Sequence, residues 1–355
     1  MSDEKIYRLD ETFEQNVLYG PFWEGITPEF PKTEPTKTFM GKRVHSLLGV
    51  SASPFTFTSR GIEFCSRMSY DIITYRSVRT VEWRGLGAPN WCYVDLPDQL
   101  TESDLKKTVL GSIEPFAKQE VSTANSFGIQ SYKPEYWQRE YEIAKSKLNT
   151  GQVLLLALMI TPEDGQRDAI SDARLVAQYA NETSAEILEI NLACPNSGSS
   201  SLIYEDIDLS TKVCAAVKEG IGKKHLLAKV GYYSDVYALR TLMENTKGII
   251  AGITSTNTYS MQIQDKNGKP FFPGRSTAGV SGGAIRSLSM KQVKEIARLR
   301  KELELSDFVI IGVGGVTKPE HVQDYLEAGA DAVQAVAGIL ADPYLAQKYK
   351  KEMYA

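Results

Sequence analysis

The chain has 355 residues, 42% of them hydrophobic, and its 40 basic and 44 acidic side chains leave a net charge of −4. That composition supports a core of ordinary size, and charges this evenly interspersed exclude a nucleic-acid footprint. The longest apolar runs, such as Val153 to Ile160, fall far short of the ~20 residues that span a bilayer, so no membrane partner is expected.

The N-terminus, Met1-Ser2-Asp3-Glu4-Lys5, lacks the basic start and apolar stretch of a signal peptide. Four cysteines (Cys65, Cys92, Cys194, Cys214) form no CxxC pair and are too few for a disulfide framework. A reducing cytoplasm is the expected setting. With only three histidines, no zinc or iron–sulfur centre is expected either. Residues 1–40 are polar and marked by Pro21, Pro28, Pro31 and Pro35, and they read as an arm before the domain. The aromatics Tyr19, Phe22, Trp23 and Phe30 give the arm something to bury. The simpler target is its own barrel; the other is a second subunit, which would make a homodimer.

From residue 41 to 355, short apolar runs alternate with helical patterns, the βα rhythm of a parallel sheet. The candidate strands are 46–50, 70–75, 153–158, 187–191, 226–230, 252–256, 308–312 and 332–336. Eight such units predict an α/β fold, a TIM-type (β/α)8 barrel whose function lies at the strand C-termini. Residues 77–151, between the second and third strands, hold Trp83, Trp91 and Trp137 and predict an insertion or lid over the barrel mouth. A helix is expected over 290–303, with Ser289 and Gln292 as its capping box. Another should start at Pro319 and stop at Gly329.

Several groups of residues carry chemistry. Gly312-Val313-Gly314-Gly315-Val316-Thr317 follows an apolar strand, and Gly279-Val280-Ser281-Gly282-Gly283-Ala284 lies upstream, after the sixth strand. Either could be a tight turn. Two glycine nests at neighbouring strand ends favour a phosphate-bearing ligand, because exposed backbone N–H groups can approach an anion. Asn191 and Asn257 close two strands, Asn125 lies in the insertion, and Asn196 follows Cys194. A carboxamide both donates and accepts, so a ring of them suits a cyclic imide or ureide; singly, each could be a turn residue. Lys229 ends the apolar run 226–230, either in a structural ion pair or facing a delocalised anion such as a reduced flavin. Cys194 could be a small buried hydrophobe. Pro195 pushes it toward an extended backbone, though, and the polar run Ser197–Ser201 after it argues for a loop.

Together these residues resemble the dihydroorotate dehydrogenase family of FMN-containing barrels, over roughly 44–345 and most strongly over 187–335. In the class 1 enzymes a strand ends in Asn-Leu-Ser-Cys-Pro-Asn; here the run is Asn191-Leu192-Ala193-Cys194-Pro195-Asn196. The resemblance implies that Cys194 is the general base and that Asn125, Asn191, Asn196 and Asn257, with Thr258, hold the substrate. It implies FMN as cofactor, with the phosphate on Gly282, Gly314 and Gly315, Ala52 and Ser53 under the flavin, and Lys229 facing the ring. The implied reaction is oxidation of dihydroorotate to orotate in pyrimidine biosynthesis, with hydride passing to flavin N5. Fumarate or a partner flavoprotein would then take the electrons.

The chain departs from the family pattern at two places. Arg76 stands where a lysine is usual at the end of the second strand, and Gln334-Ala335-Val336-Ala337 stands where Gly-Thr is common. The stretch from Asn267 to Gly282 also resembles the flavin domain of dihydropyrimidine dehydrogenase, which has histidine at the position of Asn196. A uracil- or thymine-type substrate is therefore one alternative. A phosphate-binding isomerase barrel without flavin is another.

Overall fold

Eight parallel strands close a barrel in the computed structural model, which describes residues 6–22, 34–117, 120–162, 165–193 and 203–354. The arm folds as helix α1 (Phe13–Tyr19), and the chain then forms a hairpin of β1 (Lys37–Phe39) and β2 (Lys42–Val44). Next come β3 (Leu48–Val50), α2 (Ser59–Arg67) and β4 (Ile72–Val78). An excursion follows with β5 (Trp91–Asp95), β6 (Thr108–Ser112), β7 (Ser122–Asn125) and α3 (Pro134–Ser146). The barrel resumes with β8 (Val153–Leu158), α4 (Ala169–Asn181), β9 (Ile187–Asn191), α5 (Ile207–Ile221), β10 (His225–Val230), α6 (Val236–Asn245) and β11 (Gly252–Ser255). A second excursion carries β12 (Tyr259–Gln264) and β13 (Thr277–Gly282). The chain closes with α7 (Arg286–Glu302), β14 (Val309–Val313), α8 (Pro319–Glu327), β15 (Ala332–Ala335), α9 (Ala337–Ala341) and α10 (Leu345–Tyr354).

The predicted (β/α)8 barrel is present, with strand order β3-β4-β8-β9-β10-β11-β14-β15. β8 and β9 fall where expected, and the other strands shift by a few residues at their ends. The barrel is filled in layers, as parallel strands require when both of their faces are buried. At the bottom Ile72, Leu155, Ile187, Leu227, Ile311 and Ala332 pack with Phe39 and Val44 of the hairpin. Above them Thr254 Oγ1 donates to Glu189 Oε2 at 2.6 Å, and Gln334 Nε2 donates to Thr74 Oγ1 at 2.9 Å. Each of these bonds skips an intervening strand, a reach available through the barrel interior. At the top Lys229 Nζ donates to Ser51 Oγ at 2.6 Å, from β10 across to the end of β3.

The lid is built from both excursions. β12-β13-β7-β5-β6 close a second, smaller barrel, with Cys92, Val94, Val109, Ala124, Met261, Ile263 and Val280 in its core. Gly279–Gly282, expected to be a loop nest after the sixth strand, is instead part of β13 and pairs with β7. The capping box expected at Ser289 and Gln292 is also absent, because α7 starts earlier, at Arg286. Those two side chains are used in tertiary bonds: Ser289 Oγ lies 2.8 Å from Thr256 Oγ1, and Gln292 Nε2 donates to Gly231 O and Ser255 Oγ. The arm packs on its own barrel, but through Ile6, Tyr7 and Phe13, whereas Tyr19 is exposed. Trp23 and Phe30 lie outside the described residues.

Candidate active site

A cavity of about 1020 Å³, counting the part open to solvent, lies at the C-terminal ends of the barrel strands beneath the small barrel. It gathers residues that are far apart in the chain. Ala52 and Ser53 follow β3, Arg76 belongs to β4, and Asn125 ends β7. Asn191 ends β9, Lys229 lies in β10, and Asn257 and Thr258 follow β11. Gly282 ends β13, and Gly314 and Gly315 follow β14. Cys194, Asn196 and the run 197–201 lie outside the described residues.

The amides on one wall are oriented by the backbone. Asn191 Oδ1 accepts from Ala193 N at 3.2 Å and from Asn257 Nδ2 at 3.1 Å, while Asn257 Oδ1 accepts from Thr258 N at 2.8 Å. A backbone N–H can only donate, so both amide oxygens are fixed toward protein. No acceptor among the described residues takes the Asn191 NH2, which can donate to a ligand's carbonyl or carboxylate oxygen.

Beside these amides, at the end of β14, lies the glycine cradle, where Thr256 N donates to Val313 O at 2.8 Å. Gly314 has φ +130°, and a Cβ there would meet Ser289 Oγ at 2.3 Å, so conformation and space both demand glycine. Tyr325 Oη donates to the Gly314 carbonyl at 2.6 Å, which occupies that oxygen away from an incoming anion. Gly282 has φ +100° and lies against the backbone of Val121 and Ser122. The two glycine segments do converge, but one comes from the main barrel and the other from the edge of the small one.

Behind the cradle Arg286 Nη1 lies 2.6 Å from Glu120 Oε2, Thr317 Oγ1 donates to the same oxygen at 3.1 Å, and His321 Nε2 is 3.7 Å from the other. Burial by itself would raise the Glu120 pKa. The hydrogen bond and charge of Arg286, with His321 and Thr317, outweigh it and hold the carboxyl below its usual range. A depressed folded-state pKa contributes stability that is present above the unfolded value of about 4.3 and is lost as pH falls through the folded one. The stability difference between wild type and Glu120→Gln is therefore expected to be widest near pH 6 and to narrow below pH ~4 in urea titrations. A difference that stays constant with pH would rule this out.

Sequence reasoning did not name Ser51, Trp91 or Phe127, among others, as cavity contacts, and it met Gln334 only as a departure from the family's Gly-Thr. Gln334 carried a usable signal, since a glutamine inside an apolar strand is as unusual as Lys229; Glu189, fully buried one layer down, carried the same one. Trp91 and Phe127 carried none, because their place depends on how the excursion folds. Ser53 Oγ and Trp91 Nε1 are buried and have no hydrogen-bond partner among the described residues, which suits a ligand with polar edges.

The family profile described as dihydroorotate dehydrogenase matches residues 115–355. A protein of Dictyostelium discoideum named dihydroorotate dehydrogenase is 30% identical over 362 aligned residues, covering 98% of this chain and 97% of that one. The dihydroorotate dehydrogenase A (fumarate) of Limosilactobacillus reuteri is 27% identical over 51% of this chain and 56% of its own. Subunit PreA of the NAD-dependent dihydropyrimidine dehydrogenase of Escherichia coli is 29% identical over 48% of this chain and 42% of its own.

Proposed function

Because the chain belongs to the dihydroorotate dehydrogenase family, we propose that it oxidises dihydroorotate to orotate with FMN as its cofactor. The observation that carries this reading is the Asn191–Asn257 amide pair and the glycine cradle gathered in one cavity, with Lys229 at the top of the barrel. Donor amides suit the carbonyls and carboxylate of a pyrimidine, and the backbone N–H groups of the cradle suit a phosphate.

In this reading Gly282, Gly314 and Gly315 hold the phosphate, and Ala52 and Ser53 lie under the ring system. When bound, FMN would supply the two-electron acceptor for the hydride that leaves C6 of the substrate. Asn125, Asn191, Asn196 and Asn257, with Thr258, orient the substrate ring. Cys194, as thiolate, takes the C5 proton, so that a C5–C6 double bond forms. Lys229 and Arg76 place positive charge beside the cavity. The other cysteines are unsuited to Cys194's role: burial pushes Cys65, Cys92 and Cys214 up to about 12, where no thiolate forms at neutral pH.

The electrons would pass on to fumarate, as the name of the Limosilactobacillus relative suggests, or to a partner flavoprotein. Among the described residues no helix is long and apolar enough to cross a membrane. The second reading, a uracil- or thymine-type substrate, draws on the PreA likeness. Anaerobic mixing of the holoenzyme with dihydroorotate is expected to bleach the flavin's visible absorption, and dihydrouracil is expected to leave it unchanged. The reverse pattern would favour the second reading. A purified chain with no flavin absorption and no uptake of FMN would remove both.

A further inference from the structure

We infer that an aromatic cage holds Arg76 on the cavity wall, and that the N-terminal arm completes the cage with Phe13. The inference rests on the reading of the cavity as a flavin site.

Arg76 lies in β4, all seven residues of which are buried. Its guanidinium carbon is 5.1 Å from the ring centre of Phe13, 5.2 Å from Phe127 and 5.7 Å from Phe57. Arg76 Nη2 donates to Gln130 Oε1 at 2.9 Å. The three rings come from three separate segments: the arm, the loop before α2, and the turn after β7. They also brace each other. Phe13 meets Phe57 edge-on at 5.0 Å and Phe127 at 5.8 Å.

The arm is fastened where it does this. Asn16 accepts from Arg8 N and donates to the Arg8 and Thr12 carbonyls, and Arg60 Nη2 donates to the carbonyls of Val17 and Leu18. Tyr7 packs against Trp91 at 5.1 Å and Phe127 at 6.3 Å, both of which line the cavity.

A planar, weakly hydrated guanidinium can be stripped of water against ring faces; a compact ammonium keeps its hydration far more strongly. The cage thus matches an arginine, the residue that departs from the family's usual lysine. Held dry, its positive charge acts on a neighbouring anion with little screening. Phe13 is a positioning residue in this scheme: it touches Arg76 and is not among the residues lining the cavity.

The test uses the FMN-loaded full chain and reads the flavin reduction potential together with the anaerobic reduction rate. Phe13→Leu, which keeps apolar bulk and removes the ring face, is expected to lower the potential. It should also slow reduction by about two- to thirtyfold, the span of a cation–π contact from exposed to desolvated. Phe13→Tyr should restore both readouts. In an Arg76→Lys background, Phe13→Leu should have little further effect. Wild-type values for Phe13→Leu would overturn the inference. So would equal losses for the leucine and tyrosine variants, or a Phe13→Leu effect undiminished beside Arg76→Lys. All of these outcomes presuppose that wild type binds FMN; if it binds none, the flavin reading fails and takes the cage with it.

Discussion

Cys194→Ala is expected to slow turnover by ~10²–10⁴-fold, the usual contribution of a well-placed general base, while the protein stays yellow and still binds orotate. Removing a carbon-bound proton needs the thiolate, and an unperturbed thiol ionises near pH ~8.5. Turnover in the wild type should therefore rise with pH through the ionisation of this thiol. Cys194→Ser should keep a residue of activity shifted to higher pH, because a hydroxyl is much harder to ionise. No other described cysteine can stand in, since burial pushes all three up to about 12. Steady-state rates across pH, with orotate titrations followed by flavin absorbance, separate loss of the base from loss of binding. Unchanged turnover in the alanine variant would end the assignment.

Lys350→Met is expected to destabilise the fold by roughly 3–5 kcal/mol, with a fall in melting temperature of roughly 5–10 °C. Lys350 of α10 and Asp71 at the foot of β4 are almost completely buried, at 2% and 0% exposure. Lys350 Nζ sits 3.0 Å from Asp71 Oδ1 and 2.8 Å from Oδ2, which also accepts from Ser46 Oγ at 2.6 Å. Burial pushes the Asp71 carboxyl up, and Lys350 pulls it back; burial likewise pushes Lys350 down. Removing the ammonium strands a buried carboxylate that must take a proton to remain inside. With its folded pKa raised further, Asp71 penalises folding at neutral pH, and the penalty fades below pH ~4, where both states are protonated. Asp71→Leu combined with Lys350→Met should recover most of the loss, because replacing both charges removes the stranded one. Urea unfolding of the single and double variants at two pH values measures this. A single variant as stable as wild type would refute it.

The barrel strands were legible because parallel strands buried on both faces read as largely apolar runs, unbroken in Val153–Leu158 and interrupted only by Glu189 before Asn191 in Ile187–Asn191. The small barrel was not. Its strands are short, and β12 closes on β6 through pairings such as Ile263 with Val109, across a sequence gap that no local pattern reports. Gly279–Gly282 looked like a loop because glycine usually weakens a strand; pairing with β7 overrides that tendency. Ser289 and Gln292 had capping spacing, yet Thr256, Gly231 and Ser255 claimed their side chains.

By itself the sequence determined the eight-stranded barrel, the amides and lysine at its strand ends, and the two glycine segments. Periodicity and residue chemistry are local properties and survive in one dimension. Only the tertiary structure decided how Asn257 locks the Asn191 oxygen, how the glycine segments of two barrels converge, and which rings meet around Arg76. Those features depend on side chains from distant segments meeting at hydrogen-bond or ring-contact distance. The rings around Arg76, drawn from residues 13, 57 and 127, acquire a shared role only when the chain folds them around one charge.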